Sequence, residues 1–311
     1  MGPVLFIVLS WNLYSQLKAQ KDLDDQINII AQSYKSVSFY FVIFLMFLNY
    51  GIEAYKWKKL ILPIEKISLK KSIKSIFAGC SITMLTPNRI GEYGGRVIYL
   101  KEGHRLKAIP VTILGSISQL LITVFIGTIG IFVVKAFPEF DFQIKSLPWL
   151  VENVLLIMSL LASILISLLY FQFTRLANKI SKVKFLSFVK MYNSTLSRKE
   201  LFEILFLSFL RYLVFVLQYL IMLKLMHVEI GVFPAFWLIS IFFLVLAFAP
   251  TSAFIDLPLR AFAAVSLLKI YSDNIAGIQL ACFGIWLINL ILPAFIGSTL
   301  IFGIKIFRRN D

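Results

Sequence analysis

The feature that most restricts this chain is the length of its apolar runs. Residues 3–17, 39–55, 108–134, 151–171, 201–226, 231–249 and 275–305 are dominated by Leu, Ile, Val and Phe. A helix of about 17–25 such residues crosses the hydrocarbon core of a bilayer. Apolar residues fill 59% of the 311 positions and the mean hydropathy is +0.86, whereas soluble domains hold roughly 45–50%. In water these runs would expose far more apolar area than a dissolved monomer tolerates. Lipid is therefore the expected solvent. Helices satisfy their own backbone there, so the sequence predicts an all-α, polytopic membrane helical bundle, one transmembrane domain over residues 1–311.

Loop charge orients the bundle. Residues 56–107 carry 12 basic and 3 acidic side chains, and residues 172–200 carry 7 basic and 1 acidic. The connections 18–37, 135–152 and 224–234 are neutral or slightly acidic. By the positive-inside rule the two basic loops face the cytoplasm, as does the basic tail 305–309. Both ends lie inside only if residues 250–268 cross, which predicts about eight crossings. The basic loop 172–200, with Leu176, Ile180, Val183 and Phe188 among its charges, reads as an amphipathic helix along the inner headgroups. Residues 56–74 read the same way from Leu60, Ile64 and Ile67.

The net charge of +15 follows from those loops and does not call for nucleic acid, since no basic domain lies outside the spans. Cys80 and Cys282 sit in apolar stretches and read as small buried hydrophobes. His104 and His227 have no ligand-spaced partners, so no metal site is expected. The start has neither a basic front nor a small-residue cleavage pattern, and reads as a first span or anchor. Trp57, Trp149, Trp237, Trp286 and Tyr55 are expected to anchor at headgroups. No phosphate-binding glycine loop, zinc motif or serine elbow is present. No cofactor is called for.

Two apolar stretches, 73–100 and 250–268, are interrupted. The first contains Thr86-Pro87-Asn88-Arg89-Ile90-Gly91-Glu92-Tyr93-Gly94-Gly95-Arg96, the second Pro250-Thr251-Ser252-Ala253-Phe254-Ile255-Asp256-Leu257-Pro258-Leu259-Arg260. Each holds a proline, then an acid, then an arginine four residues after the acid. That spacing puts Glu92 with Arg96, and Asp256 with Arg260, on one helix face. An unpaired charge at the bilayer centre costs about 2.5–3.5 kcal/mol on insertion scales, so such residues are functional candidates. Pro87, Gly91, Gly94, Gly95, Pro250 and Pro258 read as structural turn residues, because non-helical backbone at membrane depth needs protein or a wet cavity around it. The stretch 73–100 is expected to be a re-entrant pair: a half-helix to about Leu85, a turn at 86–91, and a second half-helix whose free N–H groups would favour an anion. Arg89, Glu92, Arg96, Asp256 and Arg260 are the candidate substrate-binding residues, the arginines suited to phosphate oxygens. Paired broken helices in two halves point to a duplicated unit and a transporter's site. Arg211 joins the candidates from deep inside a span, sharing a face with Gln218, and Glu203 or a neighbouring helix is its expected structural partner. Thr112, Gly115, Gln119 and Thr123 read as a packing seam.

The segment Thr86–Arg96 resembles the Pro-x-Arg-x-Gly-Glu…Arg signature of the flippase-like family, the transmembrane region of lysylphosphatidylglycerol synthase, in its short stand-alone form. Length, span count and the second proline-containing segment are similar too. The resemblance implies movement of a lipid, such as an aminoacylated phospholipid, between leaflets of the bacterial inner membrane. It places Pro87, Arg89, Gly91, Glu92 and Arg96 on the first motif, and Pro250 and Arg260 on the second. The second motif departs from the family pattern: Ala261 follows Arg260 where an acid is usual, with Asp256 as the available substitute. The synthase's soluble aminoacyl-transferase domain is absent, so a translocator is expected and not an enzyme. The partners implied are a phospholipid or other lipid, with a second copy of the chain or a separate synthase as associates. A membrane glycosyltransferase, resting on Asp22-Leu23-Asp24-Asp25, and a non-transporting assembly partner are the competing readings.

Overall fold

The computed structural model describes residues 34–84, 86, 90–137, 149–173, 196–249 and 253–302, and also Trp11, Ser15 and Gln32. The expected first span 3–17, the acidic turn at Asp22–Asp25, the amphipathic helix within 172–200 and the basic tail lie outside these residues, apart from a few positions. So do Pro87, Arg89 and Pro250. Every regular element among the described residues is helical. In chain order they are α1 (Val37–Ile61), α2 (Leu69–Met84), α3 (Gly91–Val97), α4 (Glu102–Ala136), α5 (Trp149–Phe171), α6 (Arg198–Leu225), α7 (Val232–Phe248), α8 (Ala253–Leu268), α9 (Ile275–Trp286) and α10 (Leu292–Phe302), with a π turn at Leu287–Ile291 between the last two.

Among the described residues five helical stretches are long and apolar enough to cross a membrane: Val37–Ile61, Glu102–Ala136, Asn153–Phe171, Arg198–Leu225 and Ile275–Phe302. Val232–Phe248 is a shorter apolar helix. Leu155, Met158, Leu161, Leu165 and Leu168 of α5 all stand exposed. A helix apolar on its open side as well as its packed side is suited to a lipid surround. The chain is a multi-pass helical membrane protein by these features.

The chain divides into two compact units. The first comprises residues 1–46, 120–166 and 212–287, the second residues 47–119, 167–211 and 288–311. In the first, α8 packs on α7 and α9. Gly127 of α4 meets Leu244 and the Ser240 carbonyl, and the rings of Tyr219, Phe242 and Phe243 pack edge to face or tilted. Asn274 caps α9, its side chain accepting from the Gly277 N–H at 2.8 Å.

In the second unit α2 lies against α3 and α10. The contact with α3 is backbone on backbone: a Cβ on Gly95 would stand 2.6 Å from the Gly79 Cα and 2.7 Å from the Ala78 carbonyl oxygen. A Cβ on Gly297 of α10 would overlap the Phe77 carbonyl. Small residues at such crossings let helices approach where lipid offers no hydrophobic drive to pack. Gly94 and Gly95 are therefore helical residues of α3, not turn residues as expected. Gly91 opens α3, and its N–H donates to the Thr86 hydroxyl at 2.7 Å.

Prolines also sit within helices. Pro258 is inside α8, not in a turn, and Pro110 is inside α4. A helical proline deprives the carbonyl four residues earlier of its donor. For Pro293 that carbonyl belongs to Asn289, in the π turn, and the Tyr50 hydroxyl donates to it at 2.7 Å. Ahead of α6, Ser197 and Glu200 form a reciprocal capping box: the Ser197 N–H donates to Oε2 at 2.7 Å and the Glu200 N–H donates to the serine Oγ at 3.3 Å.

The expected amphipathic helix over 56–74 is not formed. Helix α1 continues through Lys56 to Ile61, and a turn precedes α2. Leu60 and Ile67 are buried in protein. Trp57 is fully buried, its Nε1 donating to the Thr112 hydroxyl at 3.5 Å, so it is a core residue and not a headgroup anchor.

Glu65, in that turn, accepts hydrogen bonds from Lys71 Nζ at 2.7 Å and the Lys101 N–H at 3.0 Å, and its Oε2 lies 3.0 Å from His104 Nδ1. Burial pushes the carboxyl upward, but Lys71, His104 and the Lys101 amide outweigh it and hold the pKa at about 2, below the ordinary 4.5. A depressed folded-state pKa stabilises the fold above the unfolded value, and that stability is lost as pH falls from 4.5 towards about 2. Glu65→Gln should accordingly flatten the loss of stability over that window. Thermal unfolding in detergent across the acid range checks this; an unchanged profile would contradict it.

Candidate functional site: a shared carboxylate among buried cations

Three helix faces of the second unit converge on one carboxylate. On α1, Asn49, Glu53 and Lys56 recur at helical spacing and point the same way. All three are buried, with Lys56 fully so. Glu53 Oε2 lies 2.8 Å from Lys56 Nζ and 2.5 Å from Arg211 Nη1 of α6, and its Oε1 lies 2.7 Å from Arg96 Nη1 of α3. One carboxylate thus serves three cations.

The surroundings complete the donors. Lys56 Nζ also donates to the Gly115 carbonyl and the Ser208 hydroxyl, each at 3.2 Å. The Ser208 and Ser118 hydroxyls are 2.8 Å apart. Arg211 donates through Nε to Asn49 Oδ1 at 2.9 Å and through Nη1 to Gln119 Oε1 at 3.2 Å. Gly115 and Gln119, expected only to pack, are polar partners of the cluster. Arg96 carries a second carboxylate, Glu92, one helical turn earlier. The two acids differ in setting: the Glu53 side chain is 3% exposed, that of Glu92 25%. Arg96 is itself 4% exposed, and its Nε has no hydrogen-bond partner among the described residues.

The first unit holds a simpler pair. Arg260 Nε donates to Asp256 Oδ2 at 2.9 Å, one turn apart on α8. The Tyr219 hydroxyl stands beside the guanidinium, and Cys282 Sγ lies 3.9 Å from the Arg260 carbonyl oxygen. Gln279, also buried, has its Nε2 without a hydrogen-bond partner among the described residues.

Of the residues singled out from sequence, the structure brings together Glu92, Arg96 and Arg211 in one unit and Asp256 with Arg260 in the other. Arg211 pairs with Glu53; Glu203 pairs instead with Lys59 at 2.5 Å, in a partly exposed bridge. Glu53 and Lys56 were missed. Three lysines in four positions, Lys56, Lys58 and Lys59, suggest a span ending at Tyr55, yet Glu53 and Lys56 at i, i+3 in an unbroken helical pattern carry the signal. The second half-helix, α3, has only 7 residues, and its first amide, that of Gly91, donates to the Thr86 hydroxyl. Among the described residues no cluster of three or more His, Cys, Asp or Glu could hold a metal ion.

A buried, hydrogen-bonded guanidinium pair within apolar helices can hold an anion or fix one helix against another. The fold and this cluster together define a multi-pass helical membrane protein with charged groups in its interior. Compared with known proteins, the chain matches no family model, no curated protein and no solved structure.

Proposed function

We propose that this protein binds a phospholipid or a lipid-linked substrate by its headgroup phosphate and carries it between the leaflets of a bacterial inner membrane, as the resemblance to flippase-like domains implies. The observation that carries the reading is the sharing of Glu53 by Arg96, Arg211 and Lys56 inside a set of apolar helices. Charges are kept at such depth chiefly where a substrate or ion passes. Guanidinium groups suit phosphate because their planar fork offers parallel donors. The pair Asp256–Arg260 supplies a second, similar element. Eight crossings belong to the same proposal: the five long apolar stretches, Val232–Phe248, Ala253–Leu268 and residues 3–17.

Transport of a fluorescent aminoacyl phospholipid in reconstituted vesicles tests it, read by quenching of label that reaches the outer leaflet. The wild-type protein should accelerate exchange. Arg96→Lys and Arg260→Lys, which keep charge but lose the fork, should each slow it about tenfold, the worth of one charge-assisted hydrogen bond. Equal rates with and without protein would sink the translocator reading. A transferred sugar on a lipid-linked donor would instead favour a glycosyltransferase.

A further inference from the structure

We infer that Glu92 is a displaceable counter-ion which occupies the phosphate's place on Arg96 and must leave before an anionic headgroup can bind. The inference rests on the headgroup reading above and makes Glu92, a substrate-binding candidate from sequence, a competitor for the substrate's place.

The two carboxylates on Arg96 are unequal. Glu53 is held by Lys56 and Arg211 as well, and it is sealed from solvent. Removing it from Arg96 would disturb three ion pairs at once. Among the described residues Glu92 forms a salt bridge with Arg96 alone, and a quarter of its side chain is exposed. Its release breaks one pair and returns the carboxylate to a surface it already reaches. Arg96 cannot follow it outward, because its stem packs on α2: a Cβ on Gly79 would meet the arginine Cγ at 3.0 Å. The guanidinium stays in place through the Nη1–Glu53 ion pair, with Nη2 freed and Nε without a hydrogen-bond partner among the described residues. Two donors on one edge of a guanidinium match two oxygens of a phosphate. A phosphate monoanion arriving as the carboxylate leaves also keeps the charge of the cluster unchanged, so no buried cation is left unbalanced.

Glu92 sits in the first turn of α3, next to the interrupted segment that joins α3 to α2. That turn is packed on α2, since a Cβ on Gly91 would stand 2.5 Å from the Ile82 carbonyl oxygen, so the carboxylate leaves by rotation of the Glu92 side chain with the helix in place.

The test uses the full chain in detergent with dihexanoyl phosphatidylglycerol as probe and dihexanoylglycerol, which lacks the phosphate, as control. Titration calorimetry should show Glu92→Gln binding the phospholipid about tenfold more tightly than wild type, the effect of removing one competing charge-assisted contact. Arg96→Gln should abolish the preference for the phospholipid over the control. A second measurement needs no variant. Labelling of carboxyl groups by a water-soluble carbodiimide, read by mass spectrometry, should rise severalfold at Glu92 when the phospholipid is added to wild type, while Glu53 stays unlabelled. Wild-type binding with Glu92→Gln equal or weaker, and no rise in Glu92 labelling, would overturn the counter-ion role and leave the headgroup reading standing. No preference for the phospholipid in either protein would overturn both.

Discussion

Glu53→Gln is expected to leave little folded protein. The substitution keeps size and removes charge, so Lys56, Arg96 and Arg211 lose the carboxylate they share. Breaking one buried pair costs about 3–5 kcal/mol because the surviving charge stays desolvated. Here Arg96 keeps Glu92 but Lys56 and Arg211 lose this carboxylate as well, and the loss approaches the roughly 5–15 kcal/mol that holds a typical protein folded. Glu203→Gln provides the contrast. Its bridge to Lys59 is 30% exposed on the lysine side and 44% on the glutamate side, where a pair contributes about 0–1 kcal/mol. Size-exclusion profiles and thermal unfolding in detergent measure both. A Glu53→Gln protein that stays monodisperse and melts with the wild type would mean the three cations do not depend on this carboxylate.

Gly297→Ala should also be damaging, for a reason with no electrostatics in it. The added methyl would overlap the Phe77 carbonyl, and backbone cannot turn aside as a side chain can. α10 must shift away from α2, at a cost of about 1–3 kcal/mol or more. Gly51→Ala, in the middle of α1, is the control. Nothing lies within 4 Å of its added carbon, so the better helix propensity of alanine should raise stability by up to about 1 kcal/mol. Opposite shifts in melting temperature for the two variants are the expected pattern. Equal shifts would remove the α2–α10 crossing as a determinant.

The helices were largely legible because lipid demands long apolar runs. The expected spans at 108–134, 151–171, 201–226 and 231–249 lie within a few residues of α4, α5, α6 and α7. The break in 73–100 was also legible, since proline, asparagine and glycine there leave few helical options. Glycine itself misled. Gly94 and Gly95 look like turn formers in sequence, but whether a glycine serves φ freedom or close approach depends on what lies opposite it, here Gly79. The charged cluster was half legible. Pairs one turn apart, Glu92 with Arg96 and Asp256 with Arg260, are local and can be read from spacing. Glu53 with Arg211 is a tertiary contact between helices far apart in the chain, and no spacing encodes it. Lys56 hid for a different reason: beside Lys58 and Lys59 it looks like a loop cation, and only burial separates it from them.

The hydroxyl of Tyr50 on the Asn289 carbonyl implies a rule of inheritance. Pro293 withholds the amide that would serve that carbonyl from within its own helix, and a side chain from α1 supplies a donor in its place. The fates of the two residues are tied. A lineage that exchanged Pro293 for any other residue would regain the backbone donor and release position 50 to become phenylalanine. One that lost the tyrosine first would give up that donor until the proline changed. Aligned descendants of this chain should therefore show tyrosine and proline at these two positions kept or surrendered together.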